Sequence, residues 1–245
     1  MILSLSSLNS PTFRSLLVLV ASLVLSACAK DPSQEVPQAK LTNVASQEAK
    51  TQPSSSDSTS TSKADSASNT ETTSSPKSSA ALPLGGEIVF IGSKVTGSHT
   101  NRFKTWSGSV TLGQNQSLDG AQFNFEVDTA SVEADYLDPK PWSGKLRKHF
   151  LSADFFDVQN HPKATFVSSS LKKLKDQKYS VKGILTIRGQ SKEITFPATI
   201  TQNGGFEAST EFSINRKEYN IMYNGKADDL IREGVVLKIT LKAKS

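Results

Sequence analysis

From about residue 85 to its end, the chain alternates apolar and polar residues with a period of two, and this pattern restricts the fold more than any other feature. Phe123, Phe125 and Val127 alternate with Gln122, Asn124, Glu126 and Asp128. Tyr179, Val181, Leu185 and Ile187 alternate with Lys178, Ser180, Lys182 and Thr186. Ile194, Phe196, Ala198 and Ile200 do the same against Glu193, Thr195 and Thr199. After a turn at Asn203-Gly204-Gly205 come Phe206, Ala208, Phe212 and Ile214, and the last run carries Val235, Leu237, Ile239 and Leu241. Ile88 with Phe90, Val110 with Leu112, and the run from Ala164 to Leu171 bring the expectation to eight strands. Successive strand side chains point to opposite faces, so each strand has one dry and one wet face, and the short turns imply antiparallel pairing. So many strands leave edges to protect. A closed barrel removes them and a two-sheet sandwich covers them, and periodicity alone permits either.

The first 84 residues lack this pattern. Residues 15–25, SLLVLVASLVL, form an apolar block too short to span a bilayer comfortably, and it ends in Leu25-Ser26-Ala27-Cys28. That is the form of a secretory signal peptide over residues 1–27, and it resembles the bacterial lipoprotein type, in which cleavage leaves Cys28 acylated. Cys28 is the single cysteine of the chain, so no internal disulfide is available. Each buried acyl CH₂ contributes about 0.8 kcal/mol, enough in sum for stable anchoring. Ala29 and Lys30 follow without an Asp, which points to the outer membrane, facing the periplasm. Residues 29–84 contain no aromatic residue, and 18 of the 30 positions from Thr51 to Ala80 are Ser or Thr. Such a segment buries too little apolar surface to offset its ordering entropy. Residues 28–84 are therefore expected to be an acylated cysteine and a disordered tether with an r.m.s. span of about 40 Å. The folded domain is expected over residues 85–245.

Within that domain one stretch departs from alternation: His149 to Phe166, HFLSADFFDVQNHPKATF. Two adjacent aromatics, Phe155 and Phe156, stand between the carboxylates of Asp154 and Asp157, and both rings cannot face one side of a strand. An irregular turn or helix end suits them. Upstream, Leu146, His149 and Phe150 share a face at helical spacing, so a short helical or irregular insertion is expected over residues 137–157.

His149, Ser152, Asp154-Phe155-Phe156-Asp157, Pro162 and Phe166 resemble the signature of the YceI-like family of lipid- and polyisoprenoid-binding envelope proteins. Two further matches are Ile214-Asn215-Arg216-Lys217, and Gly183 to Gly189 followed by Lys192. The likeness runs in order over roughly residues 86–244. Asn220 stands where Gly is usual, and Asn is the next best residue for a left-handed backbone. The opening strand, read as Gly92 to His99, also departs from the pattern. The resemblance implies an all-β, eight-stranded antiparallel, lipocalin-like barrel enclosing a long-chain lipid, such as a polyisoprenoid or an isoprenoid quinone. Phe123, Phe125, Phe166, Gly183, Leu185, Ile187, Phe196, Ala198, Phe206, Ala208, Phe212 and Ile214 are the candidate cavity residues. The small ones among them thin the filling of a barrel otherwise just wide enough for its own side chains.

Catalytic chemistry is sparse. His99, His149 and His161 show no metal-ligand spacing with one another, and neither a nucleophile elbow nor a Gly-rich phosphate loop occurs. His149 with Asp154 is a weak acid/base candidate, so a small hydrolase or isomerase is the least favoured reading, and the chain is read as a non-enzyme without cofactor or metal. A ligand-free stress or scaffold protein with a solid barrel is the alternative to lipid binding. Arg216 is expected to be structural, paired with Asp154 or Asp157. The formal net charge is +5, and much of the excess sits in Lys172, Lys173, Lys175, Lys178 and Lys182 around a hairpin. A solvated turn is the default there and anionic lipid headgroups the sharper alternative. No basic-aromatic array resembles a nucleic-acid module. The expected partners are a lipid ligand and a membrane, and a homodimer is compatible with the sequence.

Overall fold

The computed structural model describes residues 29–42 and 80–244. Among them lie the strands β1 (Lys40–Thr42), β2 (Ala81–Lys94), β3 (Gly97–Phe103), β4 (Trp106–Thr111), β5 (Gln122–Asp128) and β6 (Val132–Glu133). After the helix α1 (Ser143–Leu151) come β7 (Lys163–Lys175), β8 (Lys178–Ile187), β9 (Gln190–Thr201), β10 (Glu207–Asn215), β11 (Gly225–Lys226) and β12 (Asp229–Ala243). The wall runs β2-β4-β5-β7-β8-β9-β10-β12, antiparallel throughout, and β12 returns to β2 with Val236 opposite Ile91 and Leu241 opposite Gly86. Closure leaves an eight-stranded barrel without free edges, as the resemblance implies.

Two wall strands are broken in the middle. β2 meets β3 and β4 along the same edge, with Val89 opposite Arg102 and Ala81 opposite Thr111, so the two are halves of one strand interrupted at Lys104-Thr105. β6 extends β5 in the same manner, Glu133 facing Arg102. The connections are short where local sequence dictates a turn. Between β8 and β9, Arg188 and Gly189 have φ of +50° and +70°, as a two-residue primed hairpin turn requires. The stretch Gly92 to His99 is not one opening strand. β2 ends at Lys94, Val95-Thr96 turns the chain, and Gly97 begins β3. β3 reads GSHTNRF, with little apolar alternation, and so carries no strand signal of its own.

The domain begins earlier than residue 85. β2 starts at Ala81, and Leu84 is fully buried in the core. A larger correction concerns residues 29–42, which the composition of the amino-terminal region assigned to a tether. They form part of the barrel wall. The β9–β10 ladder holds only Glu207↔Thr201, Ala208↔Ile200 and Ser209↔Thr199. The next residues in β9 include Pro197, whose carbonyl accepts from Thr210 Oγ1 at 2.6 Å but which has no N–H to offer on that side. The strands part there, and the amino-terminal segment enters the gap. Ala39 N–H donates to the Ser213 carbonyl at 2.8 Å, and Ser213 N–H to that of Pro37 at 2.9 Å. On the other side β1 pairs with β9, Leu41 opposite Ile194. Ala39 is buried in the main core cluster.

Upstream, Arg232 clamps the same segment by an ion pair with Asp31 at 3.4 Å and a hydrogen bond to the Ala29 carbonyl. Ser33 packs against Gly234, where an added Cβ would lie 2.1 Å from its hydroxyl, so glycine is what admits the contact. Desolvation would raise the pKa of Asp31, but hydrogen bonds from Ser33 and the Arg232 charge outweigh it and hold the carboxyl below its ordinary value.

The barrel has two distinct ends. At the upper end lie the Val95-Thr96 turn, residues 134–162 with α1, the Arg188-Gly189 turn and residues 216–228; at the lower end lie residues 112–121, 176–177 and 202–206. Lys172, Lys173, Lys175 and Lys178 flank the lower hairpin at Asp176-Gln177, whereas Ala29 is held at the upper end, beside Arg232.

Candidate ligand cavity

The inward residues of the wall strands do not fill the barrel. They enclose a cavity of about 200 Å³. Ten of the expected residues line it: Phe123, Phe125, Phe166, Leu185, Ile187, Phe196, Ala198, Ala208, Phe212 and Ile214. Two do not. Phe206 is buried against Phe123, ring centroids 5.8 Å apart, in the packing of the lower end. Gly183 leaves no free space, because an added Cβ would lie 2.6 Å from the Phe166 ring and 2.5 Å from the Val167 carbonyl oxygen. The glycine accommodates an aromatic neighbour rather than a ligand.

The wall is apolar. Phe196 and Phe212 stack across the β9–β10 gap with centroids 4.2 Å apart and planes 11° from parallel. Below them Ala198 and Ala208, with Ile200, Ile239 and Leu241, keep the bore open. Beside them Val235 and Leu237 of β12 lie next to Ile214 and Phe212, and Ile88 and Phe90 of β2 follow on the far side of β12. The alternation of β12 was plain in the sequence, but that it faces the same space as β8 and β9 follows only from closure.

An aromatic cap closes the upper end. α1 turns Phe150 inward, and the stretch from Ser152 to Asp157 folds back beneath it, with Phe156 N–H donating to the Phe150 carbonyl at 3.0 Å and Asp157 N–H to that of Ser152 at 2.9 Å. Phe155 meets Phe150 edge-on at 5.4 Å, and Phe156 meets Phe90 at 5.8 Å and Phe103 at 5.6 Å. Both Phe155 and Phe156 reach the cavity, as an irregular turn allows and a strand would not. Arg188 ties this cap to the chain end of β10, donating to the carbonyl of Ala153 at 2.6 Å and to that of Asn220. The three motifs that were separate in sequence meet at this one side chain. Asn220 has φ +58°, so it occupies the left-handed position expected of it.

Arg216 is buried, but its partners are not Asp154 or Asp157. Its guanidinium donates to the carbonyls of Arg232 at 3.0 Å, Ile231 at 3.2 Å and Ile221. Burial lowers its pKa from the ordinary arginine value, with the Glu233 charge acting the other way. Strand spacing gave no hint of this, because the acceptors are main-chain groups of a segment 15 residues away and of a loop. Asp154 instead faces His149 Nε2 at 3.2 Å on the exposed side of the cap, and Asp157 takes the Asn160 amide. Tyr219 and Ile221 also border the cavity; they lie outside any strand and carried no periodic signal. Burial pushes the Tyr219 phenol pKa well up, and its hydroxyl has no hydrogen-bond partner among the described residues. His99 Nδ1 meets Asp135 at 2.8 Å, and Ser143 Oγ donates to the same carboxylate at 2.8 Å, which fixes the start of α1 against β3. Among the described residues no group of His, Cys, Asp or Glu is arranged to hold a metal ion. Cys28, the expected lipidation site, lies outside the described residues.

A closed antiparallel meander of eight strands around an apolar cavity defines a lipocalin-like barrel. The chain belongs to the YceI-like family, whose domain model matches residues 58–243. A UPF0312 protein of Pseudomonas putida strain F1 is 33% identical over 166 residues, covering 57% of this chain and 85% of its own. Protein YceI of Escherichia coli O157:H7 is 33% identical over 129 residues, covering 49% and 61% respectively. Among solved structures, Burkholderia cenocepacia BcnA superposes with a TM-score of 0.57 at 25% identity, over 65% of this chain and 96% of that one.

Proposed function

We propose that the barrel binds a long-chain lipid, a polyisoprenoid or the tail of an isoprenoid quinone, and holds it for storage, transport or stress protection in the bacterial envelope. The supporting observation is the cavity itself, bordered by apolar side chains from the Phe155-Phe156 cap down to Ala208 and Leu241. Such a space gains about 25 cal/mol per Å² of apolar surface it removes from water. Association and ordering costs keep net affinity well below that gross figure, so burial of part of a chain suffices. Binding rather than catalysis is the reading, because neither His149 nor Asp154 is among the residues that line the cavity. In the same reading Cys28 is acylated, and the protein is anchored at the outer membrane facing the periplasm.

The test is one variant and two measurements. Ala208 borders the cavity, so in Ala208→Phe the new ring enters space that the lipid uses. Extraction of purified wild type into organic solvent, followed by mass spectrometry, is expected to yield a prenyl or comparable long-chain lipid. Ala208→Phe is expected to yield severalfold less, while the melting temperature of the delipidated protein is unchanged. A solid barrel behaves oppositely: the substitution overpacks it at a cost of about 1–3 kcal/mol, and neither protein carries lipid.

A further inference from the structure

Nine large hydrophobic side chains are exposed among the described residues, and six of them, Val95, Leu137, Trp142, Met222, Tyr223 and Leu230, lie at the upper end of the barrel. They are not scattered there. Val95 N–H donates to the Leu230 carbonyl at 3.2 Å, and Ile231 N–H to that of Asn224 at 2.8 Å, which brings the turn after β2, the loop after β10 and the start of β12 together. The Tyr223 ring stands edge-on to His149 of α1, with centroids 4.5 Å apart. α1 adds charge of one sign. Lys145 and Lys148 are exposed on it, no acidic residue accompanies them within the helix, and neither meets a carboxylate among the described residues, while Arg147 donates to the carbonyls of Val132 and Ala130. An apolar rim edged by the exposed ammonium groups of Lys145 and Lys148 fits the boundary between acyl chains and anionic headgroups.

What covers this rim is indicated by where the chain leads. Ala29, the residue after Cys28, is clamped to Arg232 at this same end, and residues 31–42 are built into the wall behind it. An acyl anchor at Cys28 therefore does not suspend the barrel on a long tether. It holds the upper end within a residue or two of the bilayer surface.

We propose that the upper rim, centred on Val95, Met222, Tyr223 and Leu230, is a docking face for the surface of a phospholipid bilayer. The docked orientation puts the Phe155-Phe156 cap of the cavity at the membrane and the lysine-rich β7–β8 hairpin away from it. A lipid ligand then enters or leaves by moving the cap against the bilayer without crossing water. The inference rests on the anchor reading for its orientation, and on the exposed rim alone for its chemistry.

The test uses the full chain bound to vesicles of phosphatidylethanolamine, phosphatidylglycerol and a dibrominated phosphatidylcholine. Trp106 and Trp142 are replaced by Phe, and one reporter is introduced, Met222→Trp at the rim or Leu174→Trp at the lower end. Bromine quenches only a tryptophan that touches the acyl region. Quenching of the rim reporter with an unquenched lower reporter is the expected result, and Val95→Asp with Leu230→Asp is expected to lower it about tenfold, since each large apolar group contributes a substantial share of interfacial binding. Protein that pellets with vesicles through Cys28 but leaves the rim reporter unquenched overturns the docking face and spares the anchor. Quenching that persists in Cys28→Ser shows that the rim docks without the anchor and supports the docking face. Failure of the full chain to bind vesicles, or conversion of a dimer to a monomer by the two Asp substitutions without any quenching, overturns the proposal, the latter by assigning the rim to a second copy. Extraction of lipid from the cavity is read separately and is unaffected by either result.

Discussion

At the scale of single residues, Arg216 and Tyr219 are two buried polar groups at the upper part of the barrel that act in opposite senses. Arg216 is a buried cation that meets no carboxylate directly among the described residues; three main-chain carbonyls take its guanidinium instead. In Arg216→Ala those carbonyls lose their donors without gaining water, a loss of about 3–5 kcal/mol. Chemical denaturation is expected to show a clearly lower midpoint, and Arg216→Lys to rescue little of it, because an ammonium cannot span three acceptors arranged for a planar fork. An unchanged midpoint in Arg216→Ala contradicts this account. Tyr219 presents the reverse case. Its hydroxyl is buried and unpaired, so Tyr219→Phe removes an unsatisfied polar atom while keeping the ring. The delipidated variant is expected to be as stable as wild type or up to about 1–2 kcal/mol more so, measured by the same denaturation. A loss of stability shows that the hydroxyl has a partner in solution.

At the scale of elements, residues 29–42 belong to the folded barrel, whereas the Ser/Thr-rich tract that follows lies outside the described residues. Residues 29–42 carry an ion pair, strand pairing on β9, hydrogen bonds to β10 and one buried core residue. The sequence expectation that residues 29–84 contribute no core therefore fails at its first 14 positions. Removing residues 29–42 uncovers Phe212 and Ile214 at the β9–β10 gap. With about 100 Å² of apolar surface re-exposed, the loss is about 2.5 kcal/mol, and the melting temperature is expected to fall by about 5–10 °C. If the stretch from Thr51 to Ser75 is the tether its composition predicts, shortening it is expected to leave the melting temperature unchanged or slightly higher, since halving such a connection returns only about 0.6 kcal/mol of closure entropy. Equal effects of the two deletions contradict the distinction. Acid acts on the first element too. The Asp31 pKa is held below its unfolded value, so its contribution is fully present above the ordinary aspartate range and fades as pH falls through the depressed value. The protection of the Ala39 amide, its exchange rate relative to the intrinsic rate at each pH, is accordingly expected to fall on acidification sooner than that of Val236 in the barrel wall.

At the scale of the whole molecule, strand alternation and the family resemblance together led to the architecture. The pattern in Phe123 to Val127, Tyr179 to Ile187 and Val235 to Leu241 is local, because a strand's facing is written every second residue. The primed turn at Arg188-Gly189 and the left-handed Asn220 are equally local, since backbone sterics at one or two positions decide them. β3 escaped notice because GSHTNRF has little apolar periodicity and is held by pairing with β2. Ten of twelve cavity residues followed from the inward face of the strands; Gly183 and Phe206 did not, because an absent or inward side chain does not reveal whether a neighbour already fills the space. The sequence by itself determined the strands that carry apolar alternation, which face each of those buries and the turns at Arg188-Gly189 and residues 203–205. Only the tertiary structure decided that β12 closes on β2, that Pro197 opens a gap which residues 37–42 fill, and that Arg216 spends its donors on carbonyls. Those outcomes depend on groups as far apart as Arg232 and Ala29, 203 positions along the chain, and contacts at such separations exist only after the barrel has formed.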